Sequence, residues 1–319
     1  MSRQSKAVFV LLSWFLLSVS SGHGAEPQPA SEAPVVLPGC FQFDLKSKAG
    51  LEYRIFVHAS QGRVSEAGSP VVYLTDANSN FPLMMVALQR QHALKDAVIV
   101  GIGYPEEDVR EHSRRRTRDL LFPVDPAWIK SQPPQHTIYM AQATGGADQF
   151  LDFIEQELKP HVEQRFQIDR QRQLLFGQSF GGLFVLHALF HRPESFQMYC
   201  AASPSIWVDD RSILKEVPAF LSRLNSVQHP VQLLVTVGEE ENPGFGGPPD
   251  REAMLKSRRQ VDNARELTDA LAGAAPLLGV RFEMFVREDH GTAMLPAANR
   301  ALQMLAKGGK NVTSPRTPR

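Results

Sequence analysis

The sequence predicts an α/β protein: a mostly parallel, doubly wound sheet with helices on both faces, entered through an N-terminal antiparallel hairpin. Three observations predict it. Residues 40–45 and 51–58 alternate apolar and polar side chains around turn residues at 46–50, the pattern of a hairpin. Downstream, short continuous apolar runs recur, as in strands buried on both faces. Stretches of helical periodicity separate those runs, and strand–helix alternation specifies a parallel sheet.

The elements follow in order. Residues 70–74 (PVVYL) read as the first buried strand, 75–80 as a loop, 81–91 as a helix, and 96–102 (DAVIVGI) as the next buried strand. Residues 104–144 break the rhythm. They are polar, contain prolines and carry Arg114, Arg115, Arg116 and Arg118. They read as a long irregular insert after the fourth strand, and loops of that length usually have a function. Phe150, Leu151, Phe153, Ile154 and Leu158 form a helical stripe within 148–166, with Pro160 near its end. Residues 172–190 read strand, sharp turn, helix. A short strand follows at 198–202, then a helix at 211–224 and a buried strand at 231–237 (VQLLVTV). A Gly- and Pro-rich loop at 242–250, a helix at 258–272, a strand at 280–286 and a closing helix at 293–306 complete the alternation. There is no internal repeat, so residues 38–307 are expected to form one domain.

The ends are expected to lie outside it. Arg3 and Lys6 precede an apolar run at 7–19, then small residues up to Ala25. This is the order of a secretory signal peptide, assigned to 1–25. Residues 26–37, rich in Pro, Ala and Glu, read as a disordered lead-in, and 308–319 as a disordered basic tail. A periplasmic or secreted protein is therefore expected, free of the membrane once the signal is removed. The 319 residues are 43% hydrophobic with a formal net charge of zero, which favours neither nucleic acid nor an anionic membrane as a partner. Cys40 and Cys200, the only two cysteines, fall on strands expected to be well separated, beyond disulfide reach. Both are expected to be free, mostly buried thiols.

The chemistry centres on Gly177-Gln178-Ser179-Phe180-Gly181. This matches G-x-S-x-G, the nucleophile elbow of the α/β-hydrolase fold. The crowded turn needs glycine at 177 and 181 and leaves the Ser179 hydroxyl at its apex. Serine needs a base to remove its proton. His290, in the loop after the last strand, is the candidate, because the fold runs serine, acid, histidine along the chain. The acid should follow the strand at 231–237, where Glu239, Glu240 and Glu241 stand. Glu241 is favoured, with Glu239, Glu240 and Asp250 as alternatives. The oxyanion hole should use the backbone N–H of Phe180 and a second from the loop at 76–78, where Ala77 is favoured. Two such donors are worth roughly 3–4 kcal/mol each to the transition state. No cofactor or metal is expected: no histidine pair has H-E-x-x-H spacing, Gly101–Gly103 is too short for a dinucleotide fingerprint, and the run at 244–250 lacks the lysine of a phosphate loop.

At these residues the chain resembles the esterase D-like branch of the α/β-hydrolases. In particular it is similar to bacterial siderophore esterases that open ferric enterobactin and related trilactones. The similarity rests on the run at 145–184, with VVYLTDAN at 71–78, RTRDLLFP at 116–123, AASPSIWVDD at 201–210 and EDHGTAM at 288–294. It implies Ser179 as nucleophile, His290 as base, and Ala77 where the family often has glycine. It also implies a small-molecule ester substrate, a ferric siderophore foremost. Arg114, Arg115 and Arg116 are then expected to hold a polyanionic tris-catecholate, with Trp128 and Tyr139 stacking on its rings. The fold alone does not set the substrate. An esterase or acyltransferase for other small acyl esters, and a siderophore-binding protein without turnover, remain the alternatives.

Overall fold

The computed structural model of the chain describes residues 35–59, 62–133, 137–138, 140–141, 143–272 and 277–308. The expected signal peptide, the lead-in up to residue 34, Tyr139 and the tail beyond Gly308 lie outside the described residues.

Eight strands form one sheet. They are β1 Cys40–Lys46, β2 Glu52–His58, β3 Ser69–Leu74, β4 Val98–Gly103, β5 Ile168–Gln178, β6 Met198–Ala202, β7 Val231–Gly238 and β8 Leu278–Phe285. Their order is β1-β2-β4-β3-β5-β6-β7-β8. β2 pairs antiparallel with β1 and β4; every other pairing is parallel. The burial pattern explains the layout. β3, β4 and β6 are buried at every position, as parallel strands covered on both faces must be. β1, at one edge, alternates between half-buried and exposed positions after its first two residues. Chain order reverses between β3 and β5, and ligands bind at the carboxyl ends of the strands beside such a switch point.

The described helices of the chain are α1 Ala77–Leu88, α2 Val109–Leu120, α3 Pro126–Ser131, α4 Ala147–Phe153, α5 Lys159–Glu163, α6 Phe180–His191, α7 Val217–Leu224, α8 Pro249–Arg258, α9 Gln260–Leu271 and α10 Met294–Ala306. α6 is central, with every residue from Gly181 to Phe190 buried. None of the described helices is long and apolar enough to cross a membrane. Cys40, at the sheet edge, is half-buried and Cys200 buried; both are free.

Three expectations are corrected. The stretch at 104–144 is not an irregular loop: it carries α2 and α3. Asp108 caps α2, accepting from the Arg110 and Glu111 N–H at 3.0 and 2.9 Å, and Asp125 caps α3 through the Ala127 N–H at 2.8 Å. Caps satisfy orphan donors that would otherwise oppose helix formation. The helix expected at 258–272 is present as α9, but a helix that was not expected, α8, precedes it, separated by Arg259 with a left-handed backbone at φ 46°. α8 starts within the expected loop, with Pro249 in its first turn, where a missing N–H costs nothing. The stripe at 148–166 passes Pro160 by a π turn at Ile154–Leu158 between α4 and α5. Such a turn re-spaces backbone hydrogen bonds that a proline cannot complete.

Candidate active site

The loops after β3, β5, β6, β7 and β8 converge at the carboxyl edge of the sheet. β5 meets α6 at Ser179, whose backbone sits at φ 61°, ψ −120°. A left-handed serine is costly and persists only where its surroundings hold it. Here the Ser179 N–H donates to the Ala202 carbonyl at 3.0 Å, and the Ser179 carbonyl accepts from the Leu183 and Ser205 N–H at 3.0 and 3.1 Å. A Cβ on Gly177 would collide with the Gly181 carbonyl, and one on Gly181 with Thr75 Oγ1. The elbow therefore packs directly on the turn at Thr75–Asp76. The Ser179 hydroxyl lies 3.4 Å from Ser205 Oγ.

The three glutamates after β7 form one 3₁₀ turn, Glu239–Glu241, and the fold gives each a different task. Glu239 accepts from the Arg287 N–H at 2.9 Å. The Glu240 N–H donates to the Glu288 carbonyl at 2.9 Å. Glu241 turns inward and is 2% exposed. Its Oε2 stands 2.7 Å from His290 Nδ1, while Oε1 accepts from Ser203 Oγ at 2.6 Å and the Gly238 N–H at 2.7 Å. A carboxylate so placed orients one imidazole nitrogen and leaves Nε2 for substrate chemistry. Two further contacts hold the histidine loop. Gln178 Nε2, one residue before the serine, donates to the His290 carbonyl at 2.5 Å. The Thr292 N–H, and with it the Gly291 N–H, bond the Asp289 carboxylate and hold it below the usual carboxylate range. No hydrogen bond joins Ser179 Oγ to the His290 ring among the described residues, and catalytic contacts commonly tighten only around substrate.

Ala77 and Phe180 are the first residues of α1 and α6. Their N–H groups are thus first-turn donors without an intrahelical acceptor. Asp76 stands immediately before α1 in a left-handed conformation, φ 57°, and its side chain does not cap the helix. Its carboxylate receives Arg116 Nε and Nη2 at 2.6 and 2.8 Å. The same guanidinium lies 5.3 Å over the Phe180 ring. Arg116 therefore ties the turn that carries Ala77 to the elbow that carries Phe180.

Arg116, expected to hold substrate, is instead bonded to Asp76; the other arginines of the run also have partners within the fold. Arg115 is 7% exposed. It pairs with Glu106, donates to the Glu52 carbonyl and stacks on Tyr53 and Tyr104. It is packed into the core and has no face left for a ligand. Arg114 is paired with Glu111, three residues back on the same helix, and among the described residues it lines no cavity beside His290. Helical geometry separates neighbours by about 100° of rotation, so a run of arginines cannot share one face. Trp128 stands at the cleft, its ring 6.1 Å from that of Trp207. Residues without a role in the sequence reading emerge beside the site: Ser203, Ser205 and Trp207 after β6, and Arg258 at the end of α8. The run AASPSIW contained the first three, but nothing in its local pattern shows that they face Glu241 and Ser179.

A strained elbow serine, an imidazole held by a buried carboxylate and paired first-turn N–H groups define the serine ester hydrolases of the α/β-hydrolase fold, and that is the class of this protein. Comparison with known proteins agrees. The family model described as "Putative esterase" matches residues 48–274. The ferri-bacillibactin esterase BesA of Bacillus subtilis is 38% identical over 264 residues, 79% of this chain and 83% of that protein. The siderophore enterobactin esterase of Emericella nidulans is 36% identical over 263 residues, 78% and 86% of the two chains. Among solved structures, the BES protein from Bacillus cereus superposes with a TM-score of 0.74 at 28% identity, covering 87% of this chain and 98% of that one. The chain belongs to this esterase family.

Proposed function

We propose that this esterase hydrolyses catecholate siderophore esters, of the ferric enterobactin type, through an acyl-Ser179 intermediate. The observation that carries the mechanism is the contact of the buried Glu241 carboxylate with His290, 2.7 Å apart, in a loop hydrogen-bonded to the residue before the elbow serine. Glu241 fixes the proton on Nδ1, so Nε2 is the lone-pair face. His290 takes the Ser179 proton as Oγ attacks the ester carbonyl. The oxyanion that forms is received by the Ala77 and Phe180 N–H groups, reinforced by the positive ends of α1 and α6. The imidazolium, stabilised by Glu241, then protonates the departing alcohol. Water, activated by the same imidazole, releases the acid and restores the serine.

The siderophore substrate is supported by the names of the relatives that the chain matches over most of its length. The signal-like segment at 1–25 supports action in the periplasm or outside the cell, on one catalytic domain at 38–307. The test is direct. The purified protein takes one fluorophosphonate label, and mass spectrometry places it on Ser179. It also cuts ferric enterobactin to linear dihydroxybenzoyl-serine products resolved by chromatography. Label on a Ser179→Ala variant refutes the nucleophile. Turnover of p-nitrophenyl acetate with none of the trilactone refutes the substrate, and binding without turnover of either ester identifies a siderophore-holding protein.

A further inference from the structure

The site leaves one cation unexplained. Arg258, the last residue of α8, is half-buried, and burial pushes its guanidinium below the usual value. A desolvated charge is costly unless it is paired. Its neighbours are paired: Arg259 with Glu266 at 2.8 Å and Asp262 at 3.4 Å, and Arg211 with Glu266 at 3.2 Å. Arg251 donates to the Gly246 and Glu240 carbonyls. No carboxylate pairs with Arg258 among the described residues. Its guanidinium instead lies 4.3 Å over the Trp207 ring. That indole in turn packs 6.3 Å from the ring of Phe180, the residue after the elbow serine.

Three recesses meet at this arginine. One of about 190 Å³ is lined by Glu241, His290 and Arg258. The others, about 340 and 260 Å³, are both lined by Trp207, Gln132 and Arg258. Asp250 and Asp210 stand on their walls. Arg211 and Arg259 line the last of these recesses as well, but both are paired with Glu266, which leaves Arg258 as the guanidinium there without a carboxylate partner among the described residues.

We propose that Arg258 and Trp207 form a subsite for an anionic aromatic group of the substrate, next to the ester presented to Ser179. A planar guanidinium donates two parallel N–H bonds to paired oxygens, such as the vicinal oxygens of a catecholate or those of an aryl carboxylate. The indole supplies a face for the ring. The subsite lies on α8 and the loop after β6, not on the arginine-rich α2. It rests on the esterase reading above and extends it: the enzyme selects esters that carry anionic aryl groups over neutral ones.

The experiment has two arms. The first measures kcat and KM of the full chain, Arg258→Met and Arg258→Lys on ferric enterobactin and on p-nitrophenyl acetate. In Arg258→Met the kcat/KM for ferric enterobactin falls at least about tenfold more than that for the neutral ester, through KM, as expected for loss of a desolvated charge contact. Arg258→Lys, which keeps the charge without the planar fork, falls between. Equal losses on the two esters make Arg258 a structural residue and overturn the proposal, as does no loss on either. The second arm titrates ferric enterobactin into Ser179→Ala, with and without Arg258→Met, by tryptophan fluorescence in 50 and 300 mM salt. Weaker binding and a flatter salt dependence in the double variant are expected. Unchanged binding, or no binding to Ser179→Ala itself, overturns the subsite. Because this arm needs no turnover, failure of the catalytic reading and failure of the subsite are read separately.

Discussion

Replacing Glu241 with glutamine tests the site most sharply, because the structure sets which way the amide must turn. Glu241 receives three donors: His290 Nδ1 at 2.7 Å, Ser203 Oγ at 2.6 Å and the Gly238 N–H at 2.7 Å. Glutamine offers one carbonyl oxygen. If that oxygen replaces Oε2, the amide NH2 faces the Gly238 N–H, donor against donor, and a buried N–H loses its acceptor at a cost of about 1–3 kcal/mol. The opposite orientation wins. The oxygen stays with Ser203 and Gly238, and the NH2 points at His290 Nδ1. That nitrogen must then accept, so the ring proton moves to Nε2 and the lone pair needed by Ser179 is gone. In serine proteases the equivalent carboxylate-to-amide change costs about 10⁴ in kcat by the same inversion. We expect a loss of about 10³–10⁴ here, or about 4–5.5 kcal/mol of transition-state stabilisation. The assay is p-nitrophenyl acetate hydrolysis with active-site titration, beside the rate of fluorophosphonate labelling. Both rates fall together while the urea midpoint moves little. A loss below tenfold refutes the reasoning and leaves Ser179 and His290 working without an acid.

Two further changes probe the surroundings. Arg116→Met leaves Asp76 buried and unpaired and frees the turn bearing Ala77, so kcat for p-nitrophenyl acetate falls roughly 10–100-fold with KM little changed; a raised KM at constant kcat would instead mean that Arg116 touches substrate. His187, 3% exposed and bonded to Asp148 at 2.8 Å, has its pKa lowered to about 4 by burial and then by the charge of His191. The unfolded chain therefore binds the extra proton first as pH falls, so stability is full above about pH 6.5 and drains away towards pH 4, by about 3 kcal/mol. Urea unfolding at pH 7.5 and 4.5 should show this loss, and His187→Leu should reduce it; an unchanged loss in that variant refutes the assignment to His187.

Much of the architecture was legible because its signals are local. An apolar run such as 231–237 has no stable home but a strand buried on both faces, and β7 lies there. Glycines at 177 and 181 around a serine have one common structural use, and the elbow is there. Chain order then pointed to His290 and the glutamate cluster. The helices α2 and α3 were obscured because 104–144 is polar and broken by prolines; the capping residues Asp108 and Asp125 were the available signals. The left-handed backbone at Arg259 that separates α8 from α9 had none, since arginine is not a residue that favours that conformation.

The sequence by itself determined the sheet, the elbow at Ser179 and the set of glutamates among which an acid would stand. Each depends on residues adjacent in the chain, where periodicity and turn chemistry act directly. The tertiary structure decided which glutamate faces His290, that Arg115 points into the core while Arg116 braces the turn at Asp76, and that Arg258 rather than the arginine run stands unpaired beside the site. These depend on where the ends of separate strands meet and on which side chains the packing leaves a partner. Charge run and spacing carry no record of either.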